Sequence, residues 1–299
     1  MPSDAMAVLQ PASPSIIARN WRPDCGPATN MPPIQTGKFL ERIPFARFGV
    51  GDDPVLVING GQGFMMKPDA ERMEKDARRL MRLLPADRSV ILLGYDPDAE
   101  RVTVERLAED VARIIEEHFD GKADVVGISY GGVVASRLAA RSPGKVGKLV
   151  LLASAPWFSP EGERRLRRQI ELVADGNMGA LLREFTSMFR SPWLNLLVGL
   201  RVRLSGSRLA GRLGRPEVIA RYLKAMLEPG LRQNGLFPSD VPALLVGGNR
   251  DQFFAQSMVE ASTALPHLKM SILEGETHMM PVERAGAVKT IIGEFLRPG

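Results

Sequence analysis

The chain has 299 residues, of which 44% are apolar and 24% charged, and its mean hydropathy is −0.06. These values are typical of a globular protein with a large core, and they exclude a disordered or fibrous chain. The formal charge of +5 is concentrated in residues 159–240, which carry 14 Lys and Arg against 8 Asp and Glu. We interpret this excess as a solvated helix face and predict no nucleic-acid partner; an anionic substrate or a membrane surface is the alternative.

The sequence shows no signal for a membrane span, a secretory leader or a disulfide framework. No apolar run approaches the roughly 18 to 20 residues of a spanning helix. The N-terminus lacks a basic stretch followed by an apolar segment, and Cys25 is the only cysteine. The sequence therefore predicts a cytoplasmic protein with no structural zinc site.

Residues 1–45 contain eight prolines and no sustained periodicity, which predicts an extended or partly disordered N-terminal arm. Beyond it, apolar runs alternate with helical patterns. The predicted strands are 54–60, 89–96, 123–129, 148–154, 241–248 and 268–275, and helices are predicted near 68–84, 102–119, 131–142, 256–264 and 281–296. Strands that are apolar throughout and separated by helices predict an α/β fold, with a mostly parallel sheet covered by helices on both faces.

Residues 159–240 interrupt this alternation, because they are rich in arginine, helical in pattern and without a convincing strand. We predict an all-helical cap there, inserted between two parts of one core, 46–158 and 241–299. Within it, PWLNLLVGLRVRL at 192–204 is interpreted as a cap helix over the active site. A membrane-associated lipase is the alternative that this apolar and basic segment leaves open.

Ser129 follows a predicted strand and lies in the motif GISYGG at 127–132. At a sharp strand-to-helix turn, a serine side chain stands above the carboxyl edge of the sheet, and small residues such as Gly127 and Gly131 let the backbones approach closely. The helix N-terminus supplies free N–H groups and a positive dipole end. We predict that Ser129 is a nucleophile; the alternative is a small residue in a glycine-rich loop.

A serine nucleophile needs a base, which is usually a histidine. The chain has three histidines. His118 ends an amphipathic helix and His267 precedes a strand, so neither is expected at the edge where Ser129 emerges. His278 follows the strand predicted at 268–275 and is therefore the predicted base.

The carboxylate that orients this histidine should also follow a strand. Asp251 lies three residues beyond the glycine pair that ends the strand 241–248, whereas Asp240 precedes that strand. The order Ser129, Asp251, His278 is typical of one triad architecture. We predict that Asp251 is the orienting acid; the alternative is a loop aspartate that caps the next helix.

An oxyanion site needs backbone donors from a second loop. The segment NGGQG at 59–63 directly follows a buried strand, and its spacing fits neither common nucleotide-binding glycine motif. We predict that the N–H groups of Gly61 and Tyr130 form the oxyanion hole.

These motifs, together with INGGQG at 58–63, GGNRD at 247–251 and the Thr277-His278 loop, resemble the α/β-hydrolase family over roughly residues 50–158 and 241–299. The resemblance implies a helical cap after the strand at 148–154, no cofactor, and cleavage of esters or related acyl bonds.

The leading prediction is a serine hydrolase that acts on a carboxylic ester of a small molecule. Thioester cleavage, carbon–carbon bond hydrolysis and acyl transfer remain open, as does a non-catalytic binding protein of the same fold. Apolar walls of the substrate pocket are predicted at Trp157, Phe158, Met188, Phe189 and Trp193. No metal ligand is predicted, and the oligomeric state is not indicated.

Overall fold

The strands form one sheet in the order β1-β2-β4-β3-β5-β6-β7-β8 in the computed structural model, which describes residues 33–51, 54–85, 87–186, 188–204 and 211–297. They are β1 (Gln35–Phe39), β2 (Ile43–Phe48), β3 (Val55–Ile58), β4 (Val90–Leu93), β5 (Ala123–Ile128), β6 (Val146–Leu152), β7 (Ala243–Gly248) and β8 (Lys269–Leu273). The pairs β1–β2 and β2–β4 are antiparallel and the others are parallel. The predicted α/β fold with a mostly parallel sheet is confirmed.

Helices connect these strands and cover both faces of the sheet. They are α1 (Gln62–Met65), α2 (Ala70–Leu80), α3 (Val104–His118), α4 (Tyr130–Arg141), α5 (Pro160–Ala174), α6 (Met178–Thr186), α7 (Pro192–Leu204), α8 (Pro216–Ala225), α9 (Leu231–Asn234), α10 (Ala255–Ala264), α11 (Met280–Glu283) and α12 (Ala285–Leu296). Alternate residues of β3 show the two layers: Val55 and Val57 pack with α2 and α12, whereas Leu56 and Ile58 pack with α3 and α4.

The N-terminal arm predicted over 1–45 differs from the structure, because β1 and the start of β2 lie within it. The turn between them uses Leu40 and Glu41, both with positive φ, instead of the glycine or asparagine that identifies a tight hairpin in a sequence. β1 is an edge strand with mostly exposed side chains, so it also lacks an apolar alternation. Residues 1–32 lie outside the described part of the chain.

Helices α5 to α9 lie between β6 and β7, and we call residues 160–234 the helical insertion. Its described residues form no strand, and an isolated bridge joins Leu213 to Met66, just after α1. The bridge is extended by hydrogen bonds from Lys67 to the Arg212 carbonyl and from Gly214 to the Met65 carbonyl, both 2.9 Å. These bonds fasten the insertion beside the loop that follows β3.

No helix in the described ranges combines the length and the apolar character that crossing a bilayer requires.

Candidate active site

Ser129 occupies a strained turn between β5 and α4, with φ 52° and ψ −118°. A non-glycine residue adopts this conformation at a cost of roughly 1–3 kcal/mol, which the surrounding structure must offset. Three hydrogen bonds hold it: its N–H donates to the Leu152 carbonyl at 2.9 Å, and its carbonyl accepts from the Gly132 N–H at 2.9 Å and the Ser154 hydroxyl at 2.6 Å. The side chain is half-buried and therefore reachable from solvent.

Gly131 allows α4 to begin directly against the end of β3. A Cβ at this position would lie 2.6 Å from the Asn59 carbonyl oxygen and also against the Ile58 carbonyl. Gly127 is equally crowded, since a Cβ there would lie 2.6 Å from the Gly131 carbonyl oxygen. The close approach expected from the glycines around Ser129 is confirmed.

The structure brings Ser129, His278 and Asp251 into one hydrogen-bonded chain. The Ser129 Oγ lies 2.9 Å from His278 Nε2, and His278 Nδ1 lies 2.8 Å from Asp251 Oδ2. The Asp251 side chain is fully buried, and its Oδ1 accepts hydrogen bonds from the N–H groups of Phe253 and Phe254 at 2.8 and 2.9 Å. The buried carboxylate is thus fixed in position and can orient the imidazole.

The His278 ring is held by neighbours as well as by its hydrogen bonds. The rings of Phe253 and Phe254 lie 4.9 and 5.9 Å from its centroid, and its backbone N–H donates to Gln252 Oε1 at 3.1 Å. The parallel strands β5, β7 and β8 end at one edge of the sheet, so the three loops that follow them meet there.

The loop after β3 lies beside Ser129. A Cβ on Gly60 would lie 3.4 Å from the Ser129 Cβ, and Gly61 precedes the first residue of α1. The first N–H groups of a helix have no intrahelical acceptor, which applies to Gly61 at α1 and to Tyr130 at α4. Gly61 and Tyr130, the two residues predicted for the oxyanion hole, thus lie at the starts of these two helices.

The three tyrosines of the chain, Tyr95, Tyr130 and Tyr222, pack together beside this loop. The Tyr95 hydroxyl donates to the Asn59 carbonyl at 2.5 Å, the Tyr130 hydroxyl to the Tyr222 carbonyl at 2.7 Å, and their rings pack edge-on to each other and against Phe64. Burial raises the pKa values of Tyr95 and Tyr130 well above the ordinary value, so both remain neutral donors. Through this cluster, Tyr222 of the helical insertion contacts Phe64 of α1 and Tyr130 of α4.

The helical insertion contacts the candidate site at two places. The Thr277 hydroxyl donates to the Met188 carbonyl at 2.7 Å, directly beside His278. The Phe185 ring lies over Gly61, 3.2 Å from where a Cβ would be. Phe185 and Gln252 are not among the residues predicted from the sequence. Gln252 is adjacent to Asp251 in sequence, but Phe185 carries no signal apart from its position in α6.

A buried carboxylate links the insertion to the His278 loop. Glu276 is 1% exposed, and its Oε1 lies 3.2 Å from Arg190 Nη1 and 2.6 Å from Arg284 Nε. The Arg190 N–H also donates to Glu283 Oε2 at 3.1 Å.

The predicted pocket residues Met188, Phe189 and Phe158 occupy different environments. Met188 is buried beside Thr277, and the Phe189 backbone is held by two hydrogen bonds from and to the Asn195 side chain. Phe158 packs on Phe254 at 4.5 Å, one ring away from His278.

The two predicted tryptophans lie in different environments. Trp157 is buried between Glu260 and Arg232, where its indole N–H donates to the Glu260 carboxylate at 3.3 Å. Trp193 is 61% exposed on α7. The sequence does not reveal which side of a cap helix faces inward, because α7 is apolar on both sides.

The two other histidines lie apart from this chain of hydrogen bonds. His118 ends α3 as expected, packs 4.7 Å from the Phe39 ring, and has a pKa lowered by burial. His267 lies between α10 and β8, edge-on to Phe237 at 5.5 Å. A cavity of about 450 Å³ beside Tyr95 and Tyr222 has no Ser129, His278 or Asp251 in its lining.

Within the described ranges, no group of three or more His, Cys, Asp or Glu side chains is arranged to hold a metal ion.

Comparison with known proteins gives matches over most of the chain. A model of the alpha/beta hydrolase family matches residues 55–290. A Bacillus subtilis (strain 168) protein named as a candidate 2-succinyl-6-hydroxy-2,4-cyclohexadiene-1-carboxylate synthase is 28% identical over 238 residues, which are 73% of this chain and 84% of that protein. A pimeloyl-(acyl-carrier protein) methyl ester esterase of Chromobacterium violaceum is 33% identical over 150 residues, which are 48% of this chain and 58% of the esterase.

Solved structures show the same fold. The enol-lactonase of Burkholderia xenovorans LB400 superposes with a TM-score of 0.64 at 19% identity, and the match covers 88% of this chain and 99% of the lactonase. The family match spans most of the chain, and the strand order and the sharp turn at Ser129 agree with it: the chain belongs to the alpha/beta hydrolase family.

Proposed function

We propose that the protein is a serine hydrolase that cleaves a carboxylic ester. The observation that carries the proposal is the hydrogen-bonded chain from Ser129 through His278 to the buried Asp251, at 2.9 and 2.8 Å. A histidine placed in this way can take the serine proton while the carboxylate stabilises the imidazolium. Esterases among the relatives, such as the methyl ester esterase that is 33% identical, support the same reaction class.

The first half-reaction forms an acyl-enzyme. The Ser129 Oγ attacks the ester carbonyl carbon as His278 Nε2 takes the hydroxyl proton, and Asp251 holds the imidazolium. The N–H groups of Gly61 and Tyr130 stabilise the oxyanion of the tetrahedral intermediate. This intermediate collapses with cleavage of the carbon–oxygen bond, and the alcohol leaves with the proton from His278.

The second half-reaction uses water. His278 takes a proton from the water molecule as its oxygen attacks the acyl carbon, and the new tetrahedral intermediate expels Ser129, which recovers its proton. The carboxylic acid is released and the enzyme returns to its starting state. No cofactor is needed, because the serine, the histidine and water supply every atom and proton that is transferred.

The test of this proposal is covalent labelling with a fluorophosphonate probe. An activated serine displaces fluoride from the probe, so one label per chain is expected on the peptide that contains Ser129. Ser129→Ala should remove the label, whereas Ser191→Ala, which changes a half-buried serine just before α7, should leave it unchanged. A folded wild-type protein that takes no label would contradict the proposal.

The bond that is cleaved can be identified in the same protein with matched substrates. A panel of esters, thioesters and a carbon–carbon substrate, assayed for hydrolysis and for transfer to added alcohol, distinguishes the ester hydrolase from a thioesterase, a carbon–carbon hydrolase or an acyltransferase. A protein that labels at Ser129 but turns over none of these would instead be a binding protein that retains the triad.

Phe185 is expected to form the wall of the acyl site, because its ring covers Gly61 in the proposed oxyanion hole. Phe185→Ala removes this apolar surface and should lower kcat/KM for a hexanoate ester about tenfold, with a smaller effect on the acetate ester. The measurement is kcat/KM across p-nitrophenyl esters of increasing chain length. The matched control is Phe295→Ala, a half-buried phenylalanine of α12. If both variants change the chain-length profile equally, Phe185 is not the acyl wall.

A further inference from the structure

Helix α7, Pro192–Leu204, exposes a stripe of large apolar side chains. The stripe contains Trp193 (61% exposed), Leu196 (73%), Leu197 (49%), Leu200 (51%) and Leu204 (79%). Their spacing puts them on one face of the helix. In the described part of the chain they are half of the large apolar residues that are exposed. The opposite side of α7 is anchored by the buried Val202, so the stripe faces outward.

Arginines flank this stripe on both sides. At 100° per residue, Arg201 falls beyond one edge of the apolar face and Arg203 beyond the other. Both are exposed, and neither forms a salt bridge with another described residue. Between Glu184 and Glu217 the chain contains six arginines and no Asp or Glu. The exposed face of α7 is thus apolar in the middle and cationic at its margins.

We propose that α7 docks the protein on a lipid surface that carries anionic headgroups. A helix that lies in the plane of a membrane buries one apolar face, often with Trp and Leu, and places Lys or Arg at the level of the phosphates. With 13 residues, α7 is about 20 Å long, too short to cross the hydrocarbon core but long enough to lie along it.

Charge complementarity favours this partner over a second copy of the chain. A symmetric dimer through the stripe would place the arginines of both copies at one interface without an acidic residue of this segment to pair with them. Anionic headgroups supply the opposite charge at the margins and the hydrocarbon accepts the stripe. The net charge of the segment and its apolar face therefore select the same partner.

Docking would also place the candidate active site near the lipid. Met188 lies four residues before α7, and its carbonyl accepts a hydrogen bond from Thr277, the neighbour of His278. An ester dissolved in the membrane would then reach Ser129 without crossing much water. This consequence depends on the proposed hydrolase function, whereas docking itself does not.

The experiment measures co-sedimentation of the full chain with vesicles, using Ser129→Ala protein so that binding is separated from hydrolysis. We expect partition onto vesicles of phosphatidylcholine and phosphatidylglycerol, little onto phosphatidylcholine alone, and a decrease as salt rises from about 0.05 to 0.5 M. Arg201→Gln with Arg203→Gln should weaken partition about fivefold for each charge removed.

The apolar stripe is tested with Leu196→Ser, Leu200→Ser and Leu204→Ser in one protein, which should reduce partition at least tenfold. The matched control changes three exposed apolar residues elsewhere, Leu236→Ser, Val259→Ser and Ile272→Ser, and should bind like the parent. Because the α7 side chains are exposed, their replacement should leave the unfolding temperature unchanged.

Several results would overturn the proposal. One is the absence of partition onto anionic vesicles, and another is equal loss in the α7 and control variants. A dimer that only the α7 variant dissociates would make a second copy the occupant. Vesicle binding that starts only after removal of residues 1–32 would make the N-terminal segment the occupant. Binding of an acidic carrier protein but not of vesicles would assign the face to a protein partner.

Discussion

Ser129→Ala should lower kcat for an ester substrate about a million-fold, and Asp251→Asn about ten-thousand-fold, while the variant with both changes should be no slower than Ser129→Ala. The effects should not add, because the aspartate acts only through the histidine that activates the serine. The structure shows the basis of this dependence: Asp251 contacts His278 Nδ1, and the other ring nitrogen, Nε2, contacts the Ser129 hydroxyl.

Asp251→Asn keeps the shape of the side chain and removes its charge. An asparagine can still accept the N–H groups of Phe253 and Phe254 through its amide oxygen, but its NH₂ group would face His278 Nδ1. That contact favours the tautomer that carries its proton on Nε2, which cannot accept the proton of Ser129. The fold should therefore remain intact while the base is lost.

The measurement is steady-state hydrolysis of a p-nitrophenyl ester, with circular dichroism to check that each variant is folded. Asp240→Asn is the matched control, because Asp240 is exposed and precedes β7 at the opposite edge of the sheet, and its kcat should equal that of the wild type. An Asp251→Asn protein that retains more than about a tenth of the activity would show that another group orients His278.

The position of Ser129, Asp251 and His278 was predictable because each follows an apolar strand. In a parallel sheet, strand ends share one edge, so the order of strands and loops in the sequence is enough to bring the three together. Gly127 and Gly131 added a steric constraint that can be read locally, because only a residue without Cβ fits where two backbones meet.

The β1–β2 hairpin could not be predicted in the same way. Its turn places Leu40 and Glu41 at positive φ, a conformation that their side chains do not favour, so contacts elsewhere must offset the cost, among them the pairing of β2 with β4. A contact between segments so far apart in sequence leaves no local pattern in the residues of the turn.

The residues that line the pocket could not be predicted from the sequence either, because they depend on how each helix is rotated about its axis. Trp193 and Phe185 are both aromatic residues of the helical insertion, yet Trp193 faces outward and Phe185 covers Gly61. Apolar residues lie on both the inner and the outer side of α7, so the apolar pattern does not select an inner side. For the same reason, the exposed stripe of α7 cannot be recognised from the sequence and is seen only in the structure.

Gly131→Ala tests how strongly the turn at Ser129 depends on the close approach of two backbones. It should lower the free energy of unfolding by about 3 kcal/mol or more. The new Cβ would press on the carbonyl oxygens of Ile58 and Asn59, which are backbone atoms at the end of β3 and cannot rotate away. Gly293→Ala is the matched control, because Gly293 also lies within a helix but has no neighbouring atom within 4 Å of the Cβ position.

Alanine is the better helix former, so Gly293→Ala should stabilise the protein by up to about 1 kcal/mol, and the two variants should change the unfolding temperature in opposite directions. For a chain of this size, the expected loss at Gly131 corresponds to a fall of roughly 5 °C, which scanning calorimetry measures directly. Because Asn59 precedes the glycine loop beside Ser129, the Gly131 variant should also lose fluorophosphonate labelling at temperatures where it is still folded. Equal unfolding temperatures for the two variants would mean that β3 and α4 can separate at little cost, and the backbone contact at Gly131 would then not be what holds the turn at Ser129 in place.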